Sequence, residues 1–305
     1  MMGHVMARWA WLGLLSAACS TSSSSVEGPA GDAGPEAPRS CEPGDPPLTC
    51  ARYLNIAHRG GAGLRPENTM EAFEHAVSLG VDVLELDVRA SSDGVLVVIH
   101  DDEVDRTTEG SGQVSSFTLA ALQALDAGYD FTTDSGASHP YRGAGVVIPT
   151  LELVLDSFGD QLILLEIKQT DPPIVDDVLA MLDATGVKER VMVGSIYDEV
   201  VQEVRTKRHD VLTSMSAGEV AGFIGLYPEN EPGYAPPAPA LQPPETLVDA
   251  ELMATADRLG VALHTWTVDD AARMTELLEL HVHGIITDDP ALLQQVQEKL
   301  QLPPK

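Results

Sequence analysis

The chain has 305 residues, of which 47 are acidic and 18 are basic, so its formal net charge is −29 at pH 7. A length of this order suits two average domains or one large α/β barrel of about 250 residues. The 44% hydrophobic content excludes wholesale disorder. Because so acidic a surface repels phosphate backbones, we expect no nucleic-acid partner, and an anionic substrate would need a local positive centre.

Residues 1–18 have the layout of a secretory signal peptide. Arg8 precedes a short apolar core that begins at Trp9, and small residues lead to Cys19. The apolar stretch 9–18 is too short to span a bilayer. A cysteine after small residues resembles the bacterial lipobox, although Ser16 stands where a leucine is usual. We therefore expect an exported protein, periplasmic or at the cell surface, with a membrane tether through a lipidated Cys19. Ordinary cleavage beside Cys19 is the alternative.

Residues 19–50 are rich in Ser, Gly and Pro and contain few large apolar side chains. Such a segment gains too little from burial to become ordered, so it is expected to be a low-complexity tether. Cys41 and Cys50 lie nine residues apart in it, and export would favour a disulfide between them. Two free thiols are the alternative.

From residue 51 to about 300, β-branched segments alternate with helical patterns, as in parallel α/β folds. The predicted strands are Leu54–Ala57, Val83–Val88, Val95–Ile99, Ile163–Ile167, Arg190–Gly194, Val211–Ser214, Ala240–Gln242, Val261–Trp266 and Gly284–Thr287. Residues 89–94 are too few for a parallel crossover, so the second and third strands should form a hairpin that turns at Asp93-Gly94. The remaining eight units predict an α/β fold of the (β/α)8 TIM-barrel type.

Two segments interrupt the repeat. Residues 103–149 form a long insertion with one short helical pattern at Phe117–Leu125, and residues 227–244 contain seven prolines. Insertions of this length are often lids or binding loops. Asn68 with Glu71 resembles a capping box, and Asp289 before Pro290 predicts another helix start.

Charged side chains cluster where the predicted strands end, which is the catalytic edge of a TIM barrel. The i, i+2 spacing of Glu85 and Asp87 puts both carboxylates on one face, and Glu166 ends a neighbouring strand. Each pattern alone is more often a solvated strand end. Three carboxylates at one rim, however, would repel one another without a divalent cation, and oxygen ligands favour Ca²⁺ or Mg²⁺ over zinc.

A series of motifs resembles the signature of the glycerophosphodiester phosphodiesterase family. They are His58-Arg59-Gly60, Pro66-Glu67-Asn68-Thr69, Glu85-Leu86-Asp87-Val88, His100-Asp101, Asp105-Arg106-Thr107-Thr108, Ile148-Pro149-Thr150-Leu151, Glu166-Ile167-Lys168, Trp266-Thr267-Val268 and Gly284-Ile285-Ile286-Thr287-Asp288. The resemblance covers residues 53–293. One departure is Asp269, which replaces a more usual asparagine.

This resemblance implies metal-dependent hydrolysis of a small glycerophosphodiester to an alcohol and sn-glycerol 3-phosphate. Glu85, Asp87 and Glu166 would hold one divalent cation, Ca²⁺ or Mg²⁺. His58 and His100 would be the catalytic acid/base pair, since imidazole titrates near neutral pH. The side chains that would contact the phosphate or the alcohol are Arg59, Lys168 and Trp266. For Trp266, packing in the barrel core is the alternative.

Other residues have weaker assignments. Glu67 and Asn68 are expected to support the site rather than bind the cation, Gln242 could reach the barrel mouth, and His264 is expected to pack in the core rather than line the pocket. Two other functions are consistent with the sequence. One is a lysophospholipase D or sphingomyelinase-D-like enzyme acting on acylated lipids; the other is a surface lipoprotein that only binds phosphorylated ligands.

Overall fold

The structure, a computed structural model, describes residues 41–42, 44–226 and 233–302. The strands in these ranges are β1 Leu54–Ala57, β2 Val83–Ala90, β3 Leu96–Val98, β4 Leu162–Ile167, β5 Val191–Gly194, β6 Leu212–Thr213, β7 Ala240–Leu241, β8 Ala262–Thr265 and β9 Gly284–Thr287. The helices are α1 Pro47–Cys50, α2 Met70–Leu79, α3 Leu119–Leu122, α4 Leu151–Ser157, α5 Val175–Thr185, α6 Asp198–Lys207, α7 Ala217–Ile224, α8 Ala250–Leu259, α9 Ala271–Glu279 and α10 Pro290–Leu300. Within these ranges, none of the helices combines the length and the apolarity needed to cross a bilayer.

Eight parallel strands form a nearly closed barrel. Their order is β6-β5-β4-β2-β1-β9-β8-β7. The two end strands approach each other, because the N–H of Met215, just after β6, donates a hydrogen bond to the carbonyl of Ala240 in β7 over 2.8 Å. The predicted (β/α)8 TIM barrel is confirmed, and the carboxyl ends of the eight strands meet at one mouth.

The ninth strand, β3, forms the predicted hairpin with β2. The two strands are antiparallel, with Val88 opposite Val98. The chain turns at Asp93-Gly94, where the N–H of Gly94 donates to the carbonyl of Ser91 and Gly94 has a φ of 78°. Because a left-handed φ costs glycine little, this residue suits the turn. Strand β2 runs two residues beyond its predicted end, to Ala90.

Helix α2 begins one residue later than the capping-box pattern suggested. The N-cap is Thr69, whose hydroxyl accepts a hydrogen bond from the Ala72 N–H, whereas Asn68 has a φ of 56°. The predicted Asn68 cap is therefore wrong, because the Asn68 amide is bonded to Asp87 instead. At α10 the prediction is confirmed: Asp289 accepts from the N–H of Leu292, and Pro290 occupies the first turn.

The strands are buried on both faces, as a parallel sheet covered by helices requires. At the amino-terminal end of the barrel, the first residues of several strands form one apolar cluster, among them Leu54, Val83 and Ala262. Leu48 of α1 belongs to the same cluster and is 2% exposed. Helix α1 therefore closes the end of the barrel opposite the mouth.

Helix α1 and its disulfide lie in the last part of the predicted tether. Cys41 and Cys50 are joined by a disulfide, as predicted. The signal peptide, the lipidated Cys19 and residues 19–40 lie outside the described residues and stay predictions.

The insertion of residues 103–149 has an apolar core of its own. Val104, Val114, Leu122 and Ile148 pack there with Val97 of β3. The predicted helical pattern at Phe117–Leu125 corresponds to α3, which follows a 3-10 turn. Because this core includes β3, the insertion is fixed to the hairpin beside the barrel mouth.

We predict that Leu48→Ala lowers the free energy of unfolding by about 2–4 kcal/mol, since a buried leucine leaves a cavity when truncated. Chemical denaturation measures this change. Leu153→Ala is the matched control, because Leu153 is 46% exposed on α4, and a surface truncation usually changes stability by about 0.5 kcal/mol or less. Equal losses in the two variants would show that α1 does not contribute to the core.

Candidate active site

Three carboxylates converge at the barrel mouth. Glu85 and Asp87 point from β2 to the barrel interior, and Glu166 lies opposite Asp87 on β4 in the parallel register. One ligand atom from each lies within 4.8 Å of the others. The i, i+2 spacing and the pairing of β2 with β4 thus bring together the three residues that the sequence predicted.

Specific neighbours hold each carboxylate in place. The Asn68 amide donates to Asp87 Oδ2 over 2.8 Å, and the backbone N–H of Arg59 donates to Glu85 Oε2 over 2.6 Å. Lys168 Nζ lies 2.8 Å from Glu166 Oε1 and 3.4 Å from Asp87 Oδ1. Asn68 therefore supports the cluster from outside, as the sequence suggested.

The electrostatics of the cluster fit a divalent cation. Burial, followed by the charges of Asp87 and Glu166, raises the pKa of Glu85. Asp87 Oδ1 is buried and accepts no hydrogen bond from any described residue. A doubly charged ion bound by the three residues would offset their mutual repulsion, and their donor set is all oxygen. These carboxylates could therefore bind a metal ion.

His58 follows β1 and begins a 3-10 turn. Its Nδ1 lies 2.6 Å from Asp288 Oδ1, at the end of neighbouring β9. Because a carboxylate only accepts, Nδ1 carries the proton and Nε2 is left to titrate. Burial lowers the pKa of His58, but the combined effect of Asp288 and Glu85, which raise it, is larger. The pKa of His58 therefore lies above its ordinary value.

His100 follows β3 and has a similar arrangement. Its Nδ1 lies 2.6 Å from Asp101 Oδ1, and its ring lines the same cavity as His58. Burial lowers the pKa of His100, and the opposing effects of Asp87 and Asp101 are smaller. Both predicted catalytic histidines are thus oriented by a carboxylate on Nδ1, and among the described residues neither Nε2 has a hydrogen-bond partner.

Arg59 and Lys168 supply positive charge beside the carboxylates. The Arg59 guanidinium pairs with Glu67 over 2.8 Å and lies 3.6 Å from Asp87. Burial lowers the pKa of Lys168, but Asp87 and Glu166 raise it more, so the ammonium stays charged. Both side chains line the cavity. They form the local positive centre that the acidic surface requires for an anionic ligand.

A chain of ion pairs connects the two histidine loops. Arg106 lies 2.6 Å from Glu67 Oε2 and 2.5 Å from Asp101 Oδ2. Glu67 in turn pairs with Arg59, and Asp101 with His100. Arg106 and Asp288 belong to motifs of the sequence, but no role was predicted for either residue. An acid-base histidine needs a hydrogen-bond partner for its second nitrogen. A search of the motifs for acidic residues that could be this partner would therefore have pointed to Asp288.

The opposite side of the cavity is apolar. We call Ile196, Met215, Val220, Ile224, Leu247 and Trp266 the apolar wall; all six line the cavity, which has a volume of about 440 Å³. Trp266 is 41% exposed, and its Nε1 donates to the Gln242 carbonyl over 2.7 Å. Trp266 therefore faces the cavity rather than the core, and Gln242 lies at the mouth as predicted.

His264 does not belong to the site. It is fully buried inside the barrel and is absent from the cavity lining. Burial lowers the pKa of His264 to about 4. Of the two interpretations that the sequence allowed, core packing is the correct one.

We predict that Arg106→Gln lowers the free energy of unfolding by about 1–2 kcal/mol near pH 6, and that the difference narrows as the pH falls toward 3. Arg106 helps to hold the pKa values of Glu67 and Asp101 at about 2. The pKa values of these two carboxyl groups are lower in the folded protein than in the unfolded chain. Their ion pairs therefore contribute their full stabilisation above about pH 4.5, and this contribution is lost as the pH falls through the pKa values of the folded protein. Urea denaturation from pH 3 to 7 measures the difference.

The exposed Arg142, which lies 3.4 Å from Asp130 in the same insertion, is the control for this experiment. Arg142→Gln should show no such narrowing, because its partner Asp130 is more exposed than Glu67 and Asp101, and solvent therefore screens the pair more strongly. A stability difference between the native protein and Arg106→Gln that does not change with pH would contradict the linkage to Glu67 and Asp101.

Comparisons with known proteins identify the family of the chain. The profile of the glycerophosphoryl diester phosphodiesterase family matches residues 58–292. A glycerophosphodiester phosphodiesterase from Caldanaerobacter subterraneus subsp. tengcongensis is 36% identical over 256 residues, which cover 81% of this chain and 99% of that protein.

Solved structures show the same fold. The crystal structure of a glycerophosphodiester phosphodiesterase from Agrobacterium tumefaciens strain C58 has a TM-score of 0.67 at 25% identity, covering 80% of this chain and 99% of that one. A phosphodiesterase from Oleispira antarctica, solved with the product sn-glycerol-3-phosphate, has a TM-score of 0.65 at 23% identity, covering 81% and 97%. The family profile matches more than half of the length of this chain. The chain therefore belongs to the glycerophosphoryl diester phosphodiesterase family and is a phosphoric diester hydrolase.

Proposed function

We propose that the protein hydrolyses small glycerophosphodiesters to an alcohol and sn-glycerol 3-phosphate, with one Ca²⁺ or Mg²⁺ bound by Glu85, Asp87 and Glu166. The observation that carries the proposal is a pair of histidines, each held on Nδ1 by a carboxylate, that line one cavity together with Glu85 and Glu166 of the acidic cluster. The bound cation would act as a Lewis acid on a phosphoryl oxygen.

The residues of the chain would divide the remaining work. Arg59 and Lys168 line the cavity and would neutralise charge that builds on the phosphoryl oxygens. An attacking oxygen forms a new bond to phosphorus while the bond from phosphorus to the alcohol oxygen breaks. Of His58 and His100, one takes the proton of the attacking group at Nε2, and the other returns a proton to the departing alcohol. Water attacks either directly or after a substrate hydroxyl has formed a cyclic phosphate.

The export that the leader implies remains part of this proposal. An enzyme tethered through Cys19 would meet deacylated glycerophospholipids outside the cytoplasm. The motivating feature is the charged start, short apolar core and small residues before Cys19.

We predict that His58→Ala and His100→Ala each lower kcat/KM for glycerophosphocholine by about 10²–10⁴-fold, because each removes a positioned proton-transfer group. Release of sn-glycerol 3-phosphate measures the reaction. His209→Ala is the control: His209 is an exposed histidine outside the cavity lining, and its removal should leave turnover unchanged. A chelator should abolish activity, and separate additions of Ca²⁺ and Mg²⁺ should show which restores it. Turnover that survives both the histidine substitutions and chelation would refute the proposal.

The apolar wall supports a second candidate, a lysophospholipase D activity on acylated lipids. Ile196 and Leu247 are 50% and 48% exposed, and both line the same cavity as the candidate catalytic residues. Large apolar side chains left in contact with water beside a polar centre often mark a ligand surface. An acyl chain on the glycerol could lie against this wall while the phosphate stays beside Lys168.

We predict for this second candidate that Leu247→Ser lowers the ratio of kcat/KM for lysophosphatidylcholine to that for glycerophosphocholine by about 10-fold, the effect of losing about 1.5 kcal/mol of apolar contact. Leu153→Ser, which alters an exposed leucine outside the cavity lining, should leave the ratio unchanged. An unchanged ratio in Leu247→Ser would count against the acylated substrate. So would a native protein that hydrolyses glycerophosphocholine but not lysophosphatidylcholine.

A further inference from the structure

A second cleft opens beside the barrel mouth. It has a volume of about 340 Å³ and shares Lys168 with the main cavity. Its polar lining includes Arg89, Asp102, Gln113, Thr170, Asp171 and Tyr197. Asp102 and Gln113 come from the hairpin and the insertion, so the cleft exists because these segments extend the wall of the barrel on that side.

Arg89 lies on the same face of β2 as the metal-binding carboxylates. Side chains alternate along a strand, so residues 85, 87 and 89 share one face. Arg89 is the outermost of the three, since β2 continues past the barrel as a hairpin with β3. Along this face of β2, Arg89 is therefore the next residue after Asp87 and lies farther from the centre of the barrel.

The Arg89 guanidinium is only partly satisfied. Its Nε donates to the carbonyl of His100 over 2.9 Å. Among the described residues, it has no other hydrogen bond, and no carboxylate lies within 4.0 Å of it. Arg59 and Lys168, in contrast, are both paired with carboxylates. Because a guanidinium has five N–H donors in a planar fork, Arg89 has donors available for a ligand carboxylate.

Two acidic residues complete the chemistry of the cleft. Asp102 and Asp171 line it together with Arg89; Asp102 interacts electrostatically with the Arg89 guanidinium, but neither carboxylate is within ion-pair distance of it. A guanidinium that no carboxylate contacts, together with two carboxylates, matches a zwitterion that carries a carboxylate and an ammonium group. On a chain with a net charge of −29, a carboxylate needs such a local cation to be bound.

We propose that this cleft binds the alcohol group of the substrate and selects a head group with a carboxylate beside an ammonium, as in glycerophosphoserine. The inference rests on the proposed function. With the phosphate at Lys168, which lines both cavities, the ester substituent enters the cleft. Arg89 then binds the carboxylate through two parallel N–H donors, and Asp102 or Asp171 accepts hydrogen bonds from the ammonium.

The experiment compares glycerophosphoserine with glycerophosphoethanolamine, which differ only in the carboxylate. The native protein should show a kcat/KM ratio of about 10 or more in favour of the serine compound, the effect of a charge-assisted hydrogen-bond pair. Arg89→Gln should bring the ratio to about 1, and Arg89→Lys should keep part of the preference. Because Arg89 also bonds the His100 carbonyl, the ratio is the informative quantity: damage to catalysis lowers both rates and cancels.

Arg142→Gln is the matched control, since Arg142 is an exposed arginine of the insertion that does not line the cleft. It should leave the ratio at the native value. Hydrolysis of both compounds at equal rates by the native protein, or a native preference that survives Arg89→Gln, would overturn the assignment of the cleft and leave the proposed function standing. Hydrolysis of glycerophosphocholine but of neither compound would also overturn the assignment of the cleft alone, whereas hydrolysis of none of the three would overturn the proposed function and the inference with it.

Discussion

The mutual repulsion of three carboxylates, two of them buried and the third half-buried, is the constraint on which the rest of this structure depends. Glu85, Asp87 and Glu166 are brought within 4.8 Å by strand pairing, in a place where burial already disfavours negative charge. Arg59 and Lys168 compensate two of the three charges. A divalent cation would add two further positive charges beside the cavity, which is what a phosphodiester anion needs in so acidic a protein.

The same constraint explains the polar contacts around the centre. Asn68 has a left-handed backbone conformation, and its side-chain amide donates a hydrogen bond to Asp87. Arg59 also has a left-handed backbone conformation, and its backbone N–H donates a hydrogen bond to Glu85. Such conformations are costly for non-glycine residues and persist where the surroundings determine them. The chain from Arg59 through Glu67 and Arg106 to Asp101 then fixes the insertion to the first loop of the barrel. Both histidine loops are therefore held in one electrostatic network.

Much of this could be predicted because it depends on local rules. Strand periodicity gave the barrel and the hairpin, and the i, i+2 spacing gave the carboxylate cluster. The helix cap at Asn68 was wrong, since its side chain is engaged by a residue of another element, Asp87. Asp288 is a partner of His58 only because β9 pairs with β1, with Thr287 opposite Ala57. Contacts of this kind follow from register and from the path of long insertions, which the local pattern does not contain.

The unequal strand lengths also make the barrel mouth asymmetric. Strand β2 extends to Ala90 and carries the hairpin and the insertion, whereas β6 and β7 have two residues each. One side of the mouth is therefore a raised polar wall with Arg89, and the other is the apolar wall with Leu247. A phosphodiester has two different substituents on one phosphorus. If the phosphate is fixed at Lys168, which lines both cavities, the apolar wall favours an acyl chain carried by the glycerol, and the polar cleft favours the head group. For the proposed substrate, the mouth would thus impose a direction, and this direction would decide which of the two ester bonds faces the histidines.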